Sequence, residues 1–450
     1  ATATINDVQI ISDPSYLLCK RLQDSKVQIG YDFIDYAKFL ILSASLLIAI
    51  DFRKLQSVLL LKVYLLHCPE FDERSANPNT LSGLFVQLSK FLGINKDPTT
   101  ITILSLRPED VHLWRKTWAY LLYIDAHLTF DNGSLLLILE STIKCLEPFK
   151  ELDSNSLWLS GRELKLARGF NLKSLATAIF RRASRALNSD ETTLEELENI
   201  LDALDEVIYG KLNSFEDLFR SRMDAEELSF IVDEILLRST LLATKVVVKF
   251  YTHLNAPYSE IGKEKLLGET IELTLILLKL GYDFALNPSK LMPAEYETLA
   301  APFIWNSMKC SMYFLAGIMT KGLKENISIL KLLTHAKFEE GKAAIEWADL
   351  QFKTDLEIYQ LLLDIYSRLY DSMIQVSSKF FHSFYLCVSL KYIVDYFKET
   401  FSQVLHDAVA QNQLETPPEM LRKFWDTLEG DFEFYDYLKE LQFNIDPYLN

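Results

Sequence analysis

The chain has 450 residues, 49% of them hydrophobic, which supplies ample material for a large core. Its formal net charge is −16, a balance that repels phosphate backbones and anionic membrane surfaces and argues against direct nucleic-acid binding by these residues. Only 14 glycines and 13 prolines are present, too few for the turns a β-rich fold of this length needs, so the fold class expected is all-α.

In chain order, Asp13-Pro14 opens a short helix to about residue 24, and further helices cover 31–50 and 52–68. The apolar run 39–50 falls short of the roughly 20 residues needed to cross a bilayer, and Asp51 ends it. In the helix after it, Leu55, Val58, Leu59, Val63 and Leu66 make a buried face, and Pro69 closes it. The next helix carries Leu81, Leu84, Phe85, Leu88 and Leu92 at three- and four-residue steps, with Gly93 as a left-handed cap and Pro98 as a stop. Pro108, Glu109 and Asp110 then suit the first turn of a helix containing Trp114, Trp118, Leu122 and Tyr123.

Asp131-Asn132-Gly133-Ser134 signals a turn. The short apolar run after it is helical or extended, which periodicity alone does not decide. A helix over 161–187 carries Arg162, Lys165, Arg168, Lys173, Arg181, Arg182 and Arg185 on several faces and is expected to be solvated. Thr193-Leu194-Glu195-Glu196 has the spacing of a capping box, and Leu194, Leu197, Leu201, Leu204 and Ile208 follow as an apolar stripe. Helices are then expected near 224–254, 259–282, 291–321, 326–347, 353–370 and 377–410, with no fixed-period repeat. The last of these is crowded with Phe380, Phe381, Phe384, Tyr385, Tyr392 and Phe397, a pattern expected of core.

Composition changes after a break at 411–418. From Phe424 to Asn450 seven acids (Asp426, Glu429, Asp431, Glu433, Asp436, Glu440, Asp446) stand against the base Lys439. Among them lie Phe424, Trp425, Leu428, Phe432, Phe434, Tyr435, Tyr437 and Leu438. Acids keep the aromatics in solution while the aromatics offer apolar area to a partner groove, the pattern of an amphipathic activation segment. The expected organisation is a helical domain over 1–412 and an acidic-aromatic segment over 413–450 docked on it. The chain starts without Met and is expected to be an excised piece.

Motifs for chemistry are missing. There is no Gly-x-Gly-x-x-Gly, no phosphate loop, no His-Glu-x-x-His and no Asp-Asp-x-x-Asp, and none of the seven histidines is paired at four-residue spacing. The five cysteines are more than forty residues apart, which excludes Cys-x-x-Cys sites and suits a reducing compartment. No enzyme activity, cofactor or metal site is expected. Trp118 and Tyr123 on one helix, with Phe381 and Tyr385 on the last, are candidates to line an apolar effector pocket.

Several short stretches together resemble the middle homology region of fungal binuclear zinc-cluster transcription factors. They are Leu55-Gln56-Ser57-Val58-Leu59-Leu60-Leu61, Leu92-Gly93-Ile94-Asn95-Lys96-Asp97, Glu109, Arg115-Lys116-Thr117-Trp118, Ile124-Asp125 and Gly133, in the family's order. The chain departs from the pattern at Lys116, at the direct succession Thr117-Trp118 and at Ser134-Leu135, where the family has a second Arg, a wider Trp spacing and Arg-Pro. The resemblance implies a nuclear regulator of RNA polymerase II transcription. Zinc and DNA contact would belong to an N-terminal cluster not in this chain, and the helical domain would answer a small effector. The C-terminal segment would recruit a coactivator, and the protein would be a possible homodimer. The alternative is a constitutive helical scaffold or complex subunit, such as a kinetochore component, on the same fold.

Overall fold

A computed structural model describes residues 36, 39–40, 51–67, 79–101, 106–132, 135–145, 161–220, 225–255, 258, 260–292, 294–325, 355–377 and 380–410. The expected helices before residue 51 lie almost entirely outside these residues. The one near 326–347 and the acidic-aromatic segment lie wholly outside them.

The described part is all-α. Its helices are α1 (Phe52–His67), α2 (Asn79–Leu92), α3 (Pro108–Asn132), α4 (Gly161–Leu187), α5 (Leu194–Gly210), α6 (Phe215–Arg220), α7 (Ala225–Asn255), α8 (Glu260–Leu286), α9 (Pro288–Leu291), α10 (Ala294–Glu325), α11 (Asp355–Ser377) and α12 (Phe381–Ala410). Among the described residues there is no strand. An isolated parallel bridge joins Lys96 to Lys144.

Local chemistry sets several boundaries. Gly93 stands at φ 71, where a side chain would be strained, and it closes α2 with bonds from its own N–H to the Lys90 carbonyl (3.1 Å) and from Ile94 N–H to the Ser89 carbonyl (3.1 Å). Thr193 caps α5, its hydroxyl accepting from the Glu196 N–H at 3.2 Å. The undecided run after residue 134 is not helical: it bends at Leu137 and Ile138, is extended at Leu139 and Ile143, and makes a single 3-10 turn at Glu140–Thr142. Helix α3 carries on into the expected turn, as far as Asn132.

Two cores meet at α3. Leu55, Val58, Phe85, Leu88, Ile94, Trp118, Leu121, Ile124 and Ile138 make the smaller one, between α1, α2, α3 and the non-helical run. Tyr123 and Ala126, on another side of α3, enter the larger core, which α4, α5, α7, α8, α10, α11 and α12 complete. A helix apolar on more than one side belongs inside, and α3 is a shared wall. His67 and His127 reach the same ring of the large core, Phe303, at centroid distances of 5.5 and 5.0 Å.

Helix α7 is the axis of the larger core, packed against α4, α5, α8 and α10. Helices α8 and α10 approach so closely that a Cβ on Gly281 would lie 2.4 Å from the Met308 sulfur and 3.0 Å from its Cβ. The far end of this core is joined by rings: Trp305 meets Phe284 at 5.7 Å and Phe380 at 4.7 Å, both edge-on. The Tyr366 hydroxyl donates to the Met312 carbonyl at 2.5 Å, tying α11 to α10.

Candidate functional site

The stretch that carries the family resemblance folds into one interlocked unit. Gly93 turns the chain so that Asp97 faces α3. There Asp97 accepts from Arg115 Nε at 2.7 Å and from a terminal guanidinium nitrogen at 3.0 Å. Both side chains are buried, at 2% and 7% exposure. Asp97 also accepts from the Thr99 N–H (3.1 Å) and hydroxyl (2.6 Å), capping the 3-10 turn Pro98–Thr100. A two-pronged guanidinium–carboxylate pair with its remaining lone pairs satisfied is the arrangement that offsets the cost of burying charge. The Trp114 indole N–H donates to the carbonyls of Ile94 (3.2 Å) and Lys96 (3.1 Å), and its ring stacks on Phe52 at 5.7 Å.

A second lock holds the non-helical run. Asp125 accepts from the backbone N–H groups of Leu137 (3.1 Å) and Ile138 (3.2 Å) and from Arg181 at 3.2 Å. Arg181 donates further to Glu140 at 2.9 Å and to the Ile138 carbonyl at 2.5 Å. Asn95 completes the join, its side-chain amide donating to the Thr142 carbonyl and its own carbonyl accepting from the Lys144 N–H, both at 2.9 Å. Burial raises the Asp125 carboxyl pKa from its ordinary value, outweighing the Leu137 and Ile138 amides and the Arg181 charge, which pull the other way. The Cys145 thiol is pushed up to about 12, chiefly by burial and next by the Asp97 charge, so it stays protonated.

Arg181 is the residue that sequence patterning placed wrongly. It belongs to the helix expected to be solvated, yet its side chain is 3% exposed. Its neighbours fit the expectation better: Arg168 and Arg185 are exposed. Lys173 is half-buried and pairs with Asp233 at 2.9 Å.

Helix α7 buries three cations on one side, spaced seven and four residues apart: Arg238, Lys245 and Lys249. Arg238 donates to the carbonyls of Ile208 (2.6 Å) and Asn213 (3.1 Å) and lies over the rings of Phe215 (5.4 Å) and Tyr209 (5.9 Å). Lys245 pairs with Asp205 at 2.5 Å and donates to the Tyr209 hydroxyl at 3.1 Å. Lys249 pairs with Glu269 of α8, which also faces Lys265 at 3.5 Å. Burial lowers the Lys249 ammonium pKa, against the opposing pull of Glu269.

The candidate pocket residues are dispersed. Trp118 is 2% exposed in the smaller core, and Tyr123 is 8% exposed in the larger one, edge-on to His127 at 5.7 Å. Tyr385 is at the surface, 43% exposed. Phe381 is the first residue of α12, with its side chain outside the description. The aromatics of α12 divide: Phe380 just before it and Phe397 are buried, whereas Phe384, Tyr385, Val388 and Tyr392 are exposed. Tyr313 of α10 lies beside them, 47% exposed, its hydroxyl 2.9 Å from that of Ser389. The candidate activation residues Phe424, Trp425, Leu428, Phe432, Phe434, Tyr435, Tyr437 and Leu438 lie outside the described residues.

No group of three or more His, Cys, Asp or Glu among the described residues is placed to hold a metal ion. No helix among them is long and apolar enough to cross a membrane. Neither the family models, nor the curated proteins, nor the solved structures compared with the chain gave a match.

Proposed function

We propose that the chain is the regulatory and activation region of a DNA-binding transcription factor of the fungal binuclear zinc-cluster type. The helical part is the regulatory body, and residues 424–443 are the segment that recruits a coactivator. DNA contact and zinc belong to a separate reader domain, the setting is the nucleus, and the chain is not an enzyme. An effector acts by changing how the C-terminal segment sits on the body.

One observation carries the reading. The scattered residues of the resemblance, Gly93, Asp97, Arg115 and Asp125, are parts of a single interlocked unit at the seam of two cores. Asp97 and Arg115 share a buried two-pronged pair, and Asp125 ties the same helix to Leu137, Ile138 and Arg181. The acidic charge of the body and the acid-aromatic pattern of the tail support the same reading.

The test is a reporter assay. The chain and a version ending at Gln413 are each fused to an unrelated DNA-binding domain. The expected result is activation by the first and its loss in the second. Equal activation by both would overturn the reading.

The constitutive scaffold is the second reading. It is favoured by the burial of Trp118 and Tyr123, two of the proposed effector contacts, in separate cores. A scaffold predicts that neither fusion activates.

A further inference from the structure

Helix α12 carries a contiguous apolar face with no covering element among the described residues. Phe384, Val388 and Tyr392 recur at four-residue steps, 51%, 55% and 73% exposed, with Tyr385 beside them and Tyr313 extending the face onto α10. Exposed apolar residues scattered singly need no explanation, but a row of five along one helix and its neighbour marks a contact surface.

We propose that this face is the docking site of the chain's own segment 421–436, bound as an amphipathic helix. The inference rests on the activation-segment reading above and names the surface where that segment is held. On a helix Leu421, Phe424, Trp425, Leu428, Phe432 and Tyr435 would fall within one arc of about 100°, flanked on one side by Arg422, Asp426, Glu429, Glu433 and Asp436 and on the other by Asp431. An apolar stripe flanked by acids is the chemistry that seats on an aromatic surface and stays soluble when released.

Reach agrees with this. The segment follows α12 directly in the chain, so its binding is intramolecular, at an effective concentration on the order of millimolar for a short flexible link. From Tyr392 to the end of α12 at Ala410 is 18 residues, about 27 Å of helix. Residues 411–420 span about 33 Å when extended, enough to return antiparallel along α12 and set Leu421 beside Tyr392. Lys309, one turn from Tyr313, and Lys391, beside Tyr392, border the face, and the acids Asp395 and Glu399 continue its stripe, so its rim carries both signs. Lys391 is shared with Asp395 at 3.0 Å. The aromatic stripe supplies the affinity.

Hydrogen exchange on the whole chain tests the proposal. The expected result is protection of the amides of 421–436, with exchange at least tenfold faster in the double variant Phe384→Ser/Tyr392→Ser and no change within α12. Leu60→Ser on α1, an equally exposed leucine, should leave the tail protected. A benzophenone amino acid at position 388 should crosslink to 421–436 within one chain. Equal tail exchange in both chains, or crosslinks between two chains, overturns the proposal, the latter in favour of a second copy as occupant. The activation reading fails independently, when residues 414–450 fused to an unrelated DNA-binding domain drive no reporter.

Discussion

Helices α7 and α12 have almost the same length, 31 and 30 residues, and depart from the usual distribution of residues in opposite directions. Helix α7 takes Arg238, Lys245 and Lys249 into the interior, and α12 leaves Phe384, Tyr385, Val388 and Tyr392 outside. The difference lies in what each group meets. Each buried cation finds an acid, a carbonyl or a ring, so its cost is offset within the fold. The exposed rings meet no such demand from the fold. Buried polarity in this molecule locks helices to one another, and α12 keeps part of its apolarity at the surface.

The strongest way to break the comparison is Arg238→Ala. It strips the Ile208 and Asn213 carbonyls of a shared buried donor and removes the cation from two rings. A loss of about 3 kcal/mol is expected in urea unfolding, the sum of lost packing and stranded acceptors. A loss under about 1 kcal/mol would mean that the interior of α7 tolerates the change as a surface would.

The Lys249–Glu269 pair asks whether α7's cations confer stability or only alignment. Lys249→Met alone strands a largely buried carboxylate and is expected to cost about 2 kcal/mol, with Lys265 softening the loss. Adding Glu269→Leu should return the chain to within about 1 kcal/mol of its starting stability, because an apolar pair replaces a desolvated ionic one. Simple addition of two losses would show instead that the ion pair is itself strongly stabilising.

How much of this was legible in the sequence differs between the two helices for a physical reason. Helix bounds, the Gly93 cap and the Thr193 cap were readable because they depend on neighbours a few residues away. The partners of Arg181, at Asp125 and Glu140, lie 56 and 41 positions back, where periodicity carries no information. The same holds for Arg238 and Ile208, 30 positions apart. On α12, six aromatics in and beside the helix read as core, but period alone does not say that Phe384 and Tyr392 are exposed while Phe397 is buried. Density of aromatics reports that a helix is sticky, and only packing reports on which side.

Asp125 extends the comparison to a buried acid. Its carboxyl pKa is raised by burial, so its contribution to stability is complete below the unfolded value of about 4 and is lost as pH rises through the folded value. The chain should therefore lose stability relative to Asp125→Asn as pH rises above about 4, by no more than about 1.4 kcal/mol per pH unit. Urea midpoints measured across that range give the two curves. If they run parallel, Asp125 is held as an ordinary carboxylate and the lock on Leu137 and Ile138 has no burial cost to carry.

Tyr392→Ser is expected to have the smallest effect on the fold. At 73% exposure the ring contributes little to the core, and surface changes away from special features stay within about 0.5 kcal/mol. Thermal unfolding of the body should be unchanged, while the tail loses protection. That separation is what distinguishes a docking face from a structural one. A side chain that holds the fold lowers the melting temperature when removed, as Arg238 should, whereas one that holds only a partner leaves the melting temperature alone. If Tyr392→Ser lowers body stability by more than about 1 kcal/mol, well beyond that surface range, the α12 face belongs to the core's own packing and the contrast with α7 disappears.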